Sequence, residues 1–374
     1  MADNSAGEFS ISELIGQVQS VMKGLNRLNI VVAGKTGAGK STLINNIFTE
    51  HLAATGIGMP VTDHVCKLEK QGVPLSIFDT RGLELGAEAQ AESFMEIKDI
   101  IAKGAMSPDV SEKIHCLLYC INTAANRIEA SEIGFLKEFT HGGNILQVPV
   151  IVVLTQSFSK KNAEQLKAVI EWENLPIAQV VPLLAEPYEL DEDNVIPSYG
   201  LDVLVEVMKQ VLPEELEMTL QNVQIASIKE KVKLADKYVL AAASSAAAAA
   251  AVPLPVADSV ALIPIQVGMI AKITAVFGID VSANIVAGII SSLAGSAGAT
   301  IAGRELAANL LKLIPGGGTA AGMAVSAVSA SAMTLSLGKA YIKLMEKVAE
   351  GEIDPRNIGN KEFTDELREM MKED

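Results

Sequence analysis

Nine residues constrain this chain more than any other stretch: Gly34-Lys35-Thr36-Gly37-Ala38-Gly39-Lys40-Ser41-Thr42. They follow an apolar run, Asn29-Ile-Val-Val-Ala33, and open into Thr42-Leu-Ile-Asn-Asn-Ile-Phe48, whose apolar residues recur at helical spacing. The pattern is G-x-x-x-x-G-K-[ST] between a strand and a helix. Glycines at these points let the backbone curl so that successive N–H groups converge on phosphate oxygens. The helix that follows adds partial positive charge at its N-terminus. Lys40 is placed to reach the β- and γ-phosphates, and the Ser41 hydroxyl is placed to bind Mg²⁺.

A second signal lies about 40 residues on. Leu75-Ser-Ile-Phe-Asp79-Thr80-Arg81-Gly82 is an apolar strand that ends in D-x-x-G. Asp79 can hold Mg²⁺, directly or through water, and the Gly82 N–H can sense a γ-phosphate. Between the two signals, Gly56-Ile-Gly-Met-Pro60-Val61-Thr62-Asp63 has the position of a first switch. Thr62 is expected to complete the metal shell and touch the γ-phosphate. Lys40, Thr62 and Gly82 are the expected catalytic residues, and Ser41, Thr62 and Asp79 the expected metal ligands.

From Leu28 to about Leu212, short apolar runs alternate with helical stretches. Strands are expected at 28–33, 65–70, 73–78, 114–121, 148–154 and 179–183. Helices are expected at 40–50, 89–102, 130–139, 163–173 and 201–211. Such alternation predicts an α/β domain, a mostly parallel six-stranded sheet with helices on both faces. An N-terminal helix over 1–27 and a charged linker helix over 213–237 flank it.

Composition changes at Lys237. From Tyr238 to Gly338 the only charged residues are Asp258, Lys272, Asp280, Arg304, Glu305 and Lys312. Their charges cancel, so the net charge of −15 resides elsewhere. That acidic balance argues against DNA as a partner and makes RNA an unfavoured one, because nucleic-acid binding needs a basic surface. Three cysteines cannot build a disulfide framework. The spacing of Cys116 and Cys120 puts both on one face of a strand, as small buried hydrophobes in a reducing compartment. Four histidines, none beside a cysteine pair, carry no metal signature. The opening Met-Ala-Asp-Asn-Ser lacks a basic segment, so no secretory signal is expected.

Together these motifs resemble the translation-factor-related GTPases, in particular the Era-like group. Gly34–Thr42 looks like the first G motif, Thr62 the second and Asp79–Gly82 the third; the resemblance covers about 28–212. It implies a P-loop G domain binding GTP and GDP with Mg²⁺. The nucleotide contacts it implies are Gly34, Thr36, Gly37, Ala38, Gly39, Lys40, Ser41 and Thr42. The fourth motif, [NT]-K-x-D, is matched by Thr155-Gln156-Ser157-Phe158. Phe158 cannot accept the guanine N1–H and amino hydrogens that an Asp would, though Gln156 can lay its methylenes on the base. Val181-Pro-Leu-Leu-Ala185-Glu186 resembles the fifth motif, with the Ala185 N–H meeting guanine O6. GTP is the expected nucleotide, with ATP or relaxed specificity as the alternatives. Leu83 stands where a glutamine would orient the attacking water, which implies slow intrinsic turnover. Gly37 stands where some Era-like proteins carry a potassium-binding Asn, so potassium activation is not expected.

The later block, from Pro253-Leu-Pro-Val-Ala-Asp258 through Gln266-Val-Gly-Met-Ile270 to Ile314-Pro315-Gly316, is similar to the YcjF-type C-terminal domain. Immunity-related and dynamin-like GTPases share the plan of a G domain with attached helices. An all-α, Ala/Gly-rich domain is therefore expected over 238–345, followed by an acidic tail over 346–374. The uncharged stretches 238–257, 281–303 and 313–338 approach the ~20 residues that span a bilayer core. Lysines flank the block on both sides, which would keep both ends in the cytosol if it inserts. Residues 294–303 place small side chains four apart, as close helix contact in lipid requires. Against insertion stand the Ala and Gly content, the helix-breaking prolines (Pro253, Pro255, Pro264, Pro315) and the charges of Asp258 and Lys272, read as a structural ion pair. Membrane association and a soluble helical bundle are the two outcomes. Three functions follow. The first is a nucleotide switch in the cytoplasm, at the cytoplasmic face of a membrane. The second is a dynamin-like enzyme forming homo-oligomers through the G domain. The third, resting on the resemblance alone, is a ribosome-associated GTPase.

Overall fold

The structure, a computed structural model, describes residues 16, 19–49, 57–62, 65–80, 86–124, 126–141, 148–191, 194–250, 258–279, 327–354 and 370. The chain divides into two compact units, Leu25–Ser227 and Met1–Gly24 with Ile228–Asp374.

In the first unit the elements run β1 (Leu28–Gly34), α1 (Lys40–Ile47), β2 (Ile57–Pro60), β3 (Val65–Glu69), β4 (Leu75–Thr80), α2 (Gly86–Ala105), β5 (Cys116–Asn122), α3 (Ala130–His141), β6 (Val150–Thr155), α4 (Lys160–Trp172), β7 (Gln179–Pro182), β8 (Tyr188–Asp191), β9 (Asn194–Ile196), α5 (Leu201–Val211) and α6 (Glu217–Val223). Seven strands form one sheet in the order β2-β3-β4-β1-β5-β6-β7. Strands β4, β1, β5, β6 and β7 are parallel, while β3 runs antiparallel to both its neighbours, β4 and the edge strand β2.

Period-2 alternation sorts the side chains into two layers. Ile30, Val32, Cys116, Leu118, Cys120, Ile151 and Val153 face α1, α5 and α6. Val31, Ala33, Leu117, Tyr119, Ile121, Val152 and Leu154 face α2, α3 and α4. Both faces of β1, β5 and β6 are therefore buried, which is why these strands are continuous apolar runs. Cys116 and Cys120 lie on one face, fully buried, and burial pushes both thiols up to about 12.

The expected sheet is corrected at one edge. It has seven strands, because Ile57-Gly-Met-Pro60 pairs with β3 through Ile57↔Glu69 to Pro60↔Cys66. A four-residue edge strand containing Gly and ending on Pro carries no alternation to read. The small hairpin β8–β9 is exposed along its length and gave no hydrophobic signal either. The predicted helix over 213–237 is two pieces. Gln224 leaves the helix to bridge Phe48, and its buried amide bonds Gln221, Ser227 O and Ser227 N.

The second unit contains three described helices, α7 (Ile228–Ala250), α8 (Asp258–Phe277) and α9 (Ala327–Ala349), packed on one another. Gly338 marks the tightest crossing: a Cβ there would lie 2.6 Å from both γ-methyls of Val239 and 3.0 Å from Met269 Sδ. Polar groups inside are paired, as burial demands. Thr274 meets Tyr341 hydroxyl to hydroxyl at 2.9 Å, and Gln266 donates to Thr334 at 3.3 Å. Buried Lys231 donates to Val276 O and Phe277 O at the end of α8, and burial pulls its ammonium down to about 7.

Two expectations for this region are corrected. Pro264 does not break the chain into pieces but sits inside α8. Asp258 and Lys272 lie fourteen residues apart on one helix, so their backbones are separated by about 21 Å along its axis, too far for the expected ion pair. Lys272 instead lies over the Tyr238 ring, 5.1 Å from its centroid. Among the described residues no helix is long and apolar enough to cross a membrane. The stretch 281–303, most of 313–338, the small-residue run 294–303, most of the N-terminal helix and most of the tail after 354 lie outside the described residues.

Candidate functional site

In a parallel sheet the carboxyl ends of neighbouring strands form a crevice. Here that edge carries, in spatial order, Asp79 of β4, Gly34 of β1, Asn122 of β5, Thr155 of β6 and the Leu183–Ala185 segment after β7. The register fixes the row: Asp79 stands beside Val32, Gly34 beside Cys120, Asn122 beside Thr155, and Leu154 beside Pro182. Asp79 and Thr155 are three strand spacings apart, about 14 Å.

The loop between β1 and α1 turns on its glycines. Gly37 and Gly39 both have φ near +74°, and a Cβ on Gly34 would lie 2.4 Å from Cys120 O. No side chain caps the N-terminus of α1 and no acidic residue occupies its first turn, so its leading N–H groups are left for an anion. Lys40 is half-buried, and its ammonium donates to Gly34 O at 2.8 Å and Lys35 O at 3.1 Å, folded over the loop. Ser41 is exposed and Ala38 buried.

The neighbouring strands clamp this loop. The buried Thr155 hydroxyl donates to Ala38 O at 2.7 Å and to Ile121 O at 3.1 Å. Gln156 Nε2 donates to Gly37 O at 3.0 Å, and Asn122 Nδ2 donates to the same oxygen at 3.1 Å. Lys35 pairs with Glu129 at 2.5 Å, which holds the Glu129 carboxyl below its ordinary range. Glu132 in turn accepts the Glu129 N–H at the start of α3, while burial raises its own pKa. Sequence reading missed Asn122, Glu129 and the clamping role of Thr155. The available signal was Asn122's place at the carboxyl end of an apolar strand.

Thr62 stands in the turn between β2 and β3. Its hydroxyl donates to Glu96 Oε2 of α2 at 2.5 Å and accepts the Val65 N–H at 3.0 Å. Gly82, with Arg81 and Leu83, lies outside the described residues. Ser41, Thr62 and Asp79 offer oxygen donors only, which suits a hard cation completed by phosphate and water. Among the described residues no group of three or more His, Cys, Asp or Glu side chains could hold a metal by itself.

At the other end of the row, Gln156 adopts φ +52° and accepts the Phe158 N–H. Ser157 is buried and fully engaged. Its N–H donates to Leu183 O, its hydroxyl meets Leu154 O and Thr123, and its carbonyl accepts Tyr199 OH at 2.7 Å. Phe158 then packs on Tyr188 of the hairpin, ring centroids 4.3 Å apart at 48°. Ala185 is buried and Glu186 exposed.

Residues 29–156 match the family described as 50S ribosome-binding GTPase. Residues 216–369 match a domain of unknown function, DUF697. Magnetosome membrane protein 22 of Magnetospirillum gryphiswaldense is 38% identical over 109 residues, covering 29% of this chain and 54% of that protein. Neuronal-specific septin-3 of Mus musculus is 26% identical over 171 residues, covering 39% of this chain and 48% of that protein. The chain spans about half the length of these curated relatives. The crystal structure of a probable GTP-binding protein engB aligns at 17% identity with a TM-score of 0.31, covering 49% of this chain and 97% of the other. The chain thus combines a P-loop α/β domain, mostly parallel in its sheet and matched over 29–156 to a GTPase family, with a C-terminal helical region matched to DUF697.

Proposed function

We propose that this chain is a magnesium-dependent GTP switch of the Era-like kind, with slow intrinsic turnover, whose nucleotide state is coupled to a YcjF-type helical domain at the cytoplasmic face of a membrane. The observation that carries this reading is the uncapped α1 N-terminus behind a loop whose carbonyls are tied to Thr155, Gln156 and Asn122. With the Gly37 and Ala38 carbonyls engaged, the loop is held so that the uncapped N-terminus of α1 meets phosphate. Thr36, Gly37, Ala38, Gly39 and Thr42 line the cradle, and Lys40 exchanges its two carbonyl partners for the β- and γ-phosphate oxygens. Ser41, Thr62 and Asp79 hold Mg²⁺, which neutralises charge building on the phosphates. Gly82 senses the γ-phosphate. Gln156 and Ala185 meet the base, with Glu186 beside them. Leu83 offers no hydrogen bond to a water, so the nucleophile is left poorly oriented and hydrolysis is slow.

The working boundaries are 28–212 for the G domain, 213–237 for the linker, 238–345 for the helical domain and 346–374 for the tail, with a helix over 1–27. The membrane reading draws on the uncharged stretches between lysine-rich flanks and on the name of the magnetosome relative. A second reading, an enzyme that oligomerises through its G domain, draws on Leu190 and Val195 of the hairpin, which are 61% and 52% exposed beside the base end. The ribosome-associated alternative draws on the description of the matched family and is opposed by the net charge of −15. Calorimetry with GTP and Mg²⁺ on the wild type and Lys40→Ala tests the core: binding in the first and its loss in the second are expected. Equal heats in both would refute it. Turnover per protomer that climbs with concentration would favour the oligomeric reading. Carbonate-resistant sedimentation with membranes tests the coupling.

A further inference from the structure

We infer that the purine base is held by an aromatic platform, Phe158 with Tyr188, that does not read the guanine 2-amino group, so the site takes GTP and ITP alike. This rests on the nucleotide site proposed above. Thr155 and Gln156 bond directly to the phosphate loop, through Ala38 O and Gly37 O. The residues that follow them therefore begin where the loop ends, at the base end of the crevice. Ser157 fixes how the chain leaves that point. It is 1% exposed and held through N–H, carbonyl and hydroxyl, and the left-handed Gln156 sets the turn. Phe158 is thus positioned by a locked turn.

Its ring is partly exposed and meets Tyr188, itself 45% exposed. Tyr188 opens an excursion, the β8–β9 hairpin, whose neck is closed by the two hydrogen bonds between Leu184 and Tyr199 at 3.0 Å. An apolar hairpin anchor would be expected to bury its rings, whereas this pair stays open to solvent. An aromatic face attracts a base by stacking, which is indifferent to the base's substituents. Hydrogen bonding to a specific edge is what yields large discrimination between close analogues. A phenyl ring has no acceptor for N1–H or the 2-amino group, so that discrimination is missing at position 158.

The test is equilibrium binding by the full chain, with Mg²⁺ and the β,γ-imido analogues of GTP and ITP. Affinities within about threefold of each other are expected, against the far larger ratio that a hydrogen-bonded edge gives. Tyr188→Ala should weaken both by about tenfold, the worth of one stacking face, while competition by inorganic tripolyphosphate is unchanged. Phe158→Asp should raise the GTP-to-ITP ratio by about tenfold or more. A wild-type preference for GTP of about a hundredfold would overturn the inference; its loss in Glu186→Gln would assign the reading to that carboxylate instead. A folded Tyr188→Ala protein that binds both analogues as the wild type does would also overturn it. Should neither analogue nor tripolyphosphate bind, and Lys40→Ala behave identically, the nucleotide site itself fails and takes this inference with it.

Discussion

Replacing Thr155 by valine removes one oxygen and keeps the shape. The side chain is 3% exposed, and its hydroxyl donates to Ala38 O at 2.7 Å with a longer contact to Ile121 O. Valine suits a strand end as well as threonine does, so packing and β propensity change little. What is lost is one buried neutral hydrogen bond, and the Ala38 carbonyl keeps no partner from β6. A net bond is worth about 1 kcal/mol, and stranding a buried acceptor adds to that, giving about 1–2 kcal/mol in total. For a unit of this size, that lowers the melting temperature by about 2–8 °C. The same bond ties the phosphate loop to β6, so its loss lets the loop sample shapes that do not present its N–H groups to an anion. If about half of the energy is spent on holding the loop, the Kd for Mg-nucleotide rises about threefold. Thermal melting and nucleotide titration on one preparation separate the two effects. A variant that melts lower but binds nucleotide with wild-type affinity would refute the idea that this hydroxyl positions the loop.

Three further outcomes are expected. Thr62 must leave Glu96 before it can meet a metal, so Glu96→Ala should tighten Mg-nucleotide binding by about tenfold, as release of a charge-assisted bond implies. Thr62→Ala in the same background should cancel that gain in a calorimetric titration. Gly338→Ala gains about 1 kcal/mol of helix propensity but presses on both methyls of Val239, at a cost of about 1–3 kcal/mol. Urea melts should show a net loss that shrinks when Val239→Ala is added. His115 accepts the Asn29 N–H on Nδ1 and bonds Val110 O through Nε2, and burial lowers its pKa below the ordinary 6.5. As pH falls below that value the unfolded chain takes up a proton that the folded chain refuses, so stability present above it is progressively lost. The stability curve of His115→Asn should be flatter than that of the wild type below about pH 6.5.

Much of the G domain is legible along the chain because its signals are local. Strands β1, β5 and β6 are unbroken apolar runs because both their faces are covered, and they were found within two residues of their ends. β2 and the β8–β9 hairpin were not, because an edge strand and an exposed ribbon need no alternation to pair. The break after Gln224 was hidden for a related reason: a buried glutamine bridging Phe48, far back in sequence, stops a helix that its own residues would continue. The expected Asp258–Lys272 pair gave way because α8 continues past Pro264 and sets the two residues at a separation of about 21 Å along one helix.

By itself the sequence determined the glycine-rich loop between β1 and α1 and the change of character near Lys237. Glycine dihedrals, helix starts and charge gaps are set by neighbours a few residues apart. Only the tertiary structure decided which side chains hold that loop still. Asn122, Thr155 and Gln156 reach it across 85, 117 and 119 positions. It also decided that Phe158 rests on Tyr188, thirty residues on. Parallel strands bring their carboxyl ends together whatever their separation along the chain, and a hydrogen bond or a ring contact depends on that proximity alone.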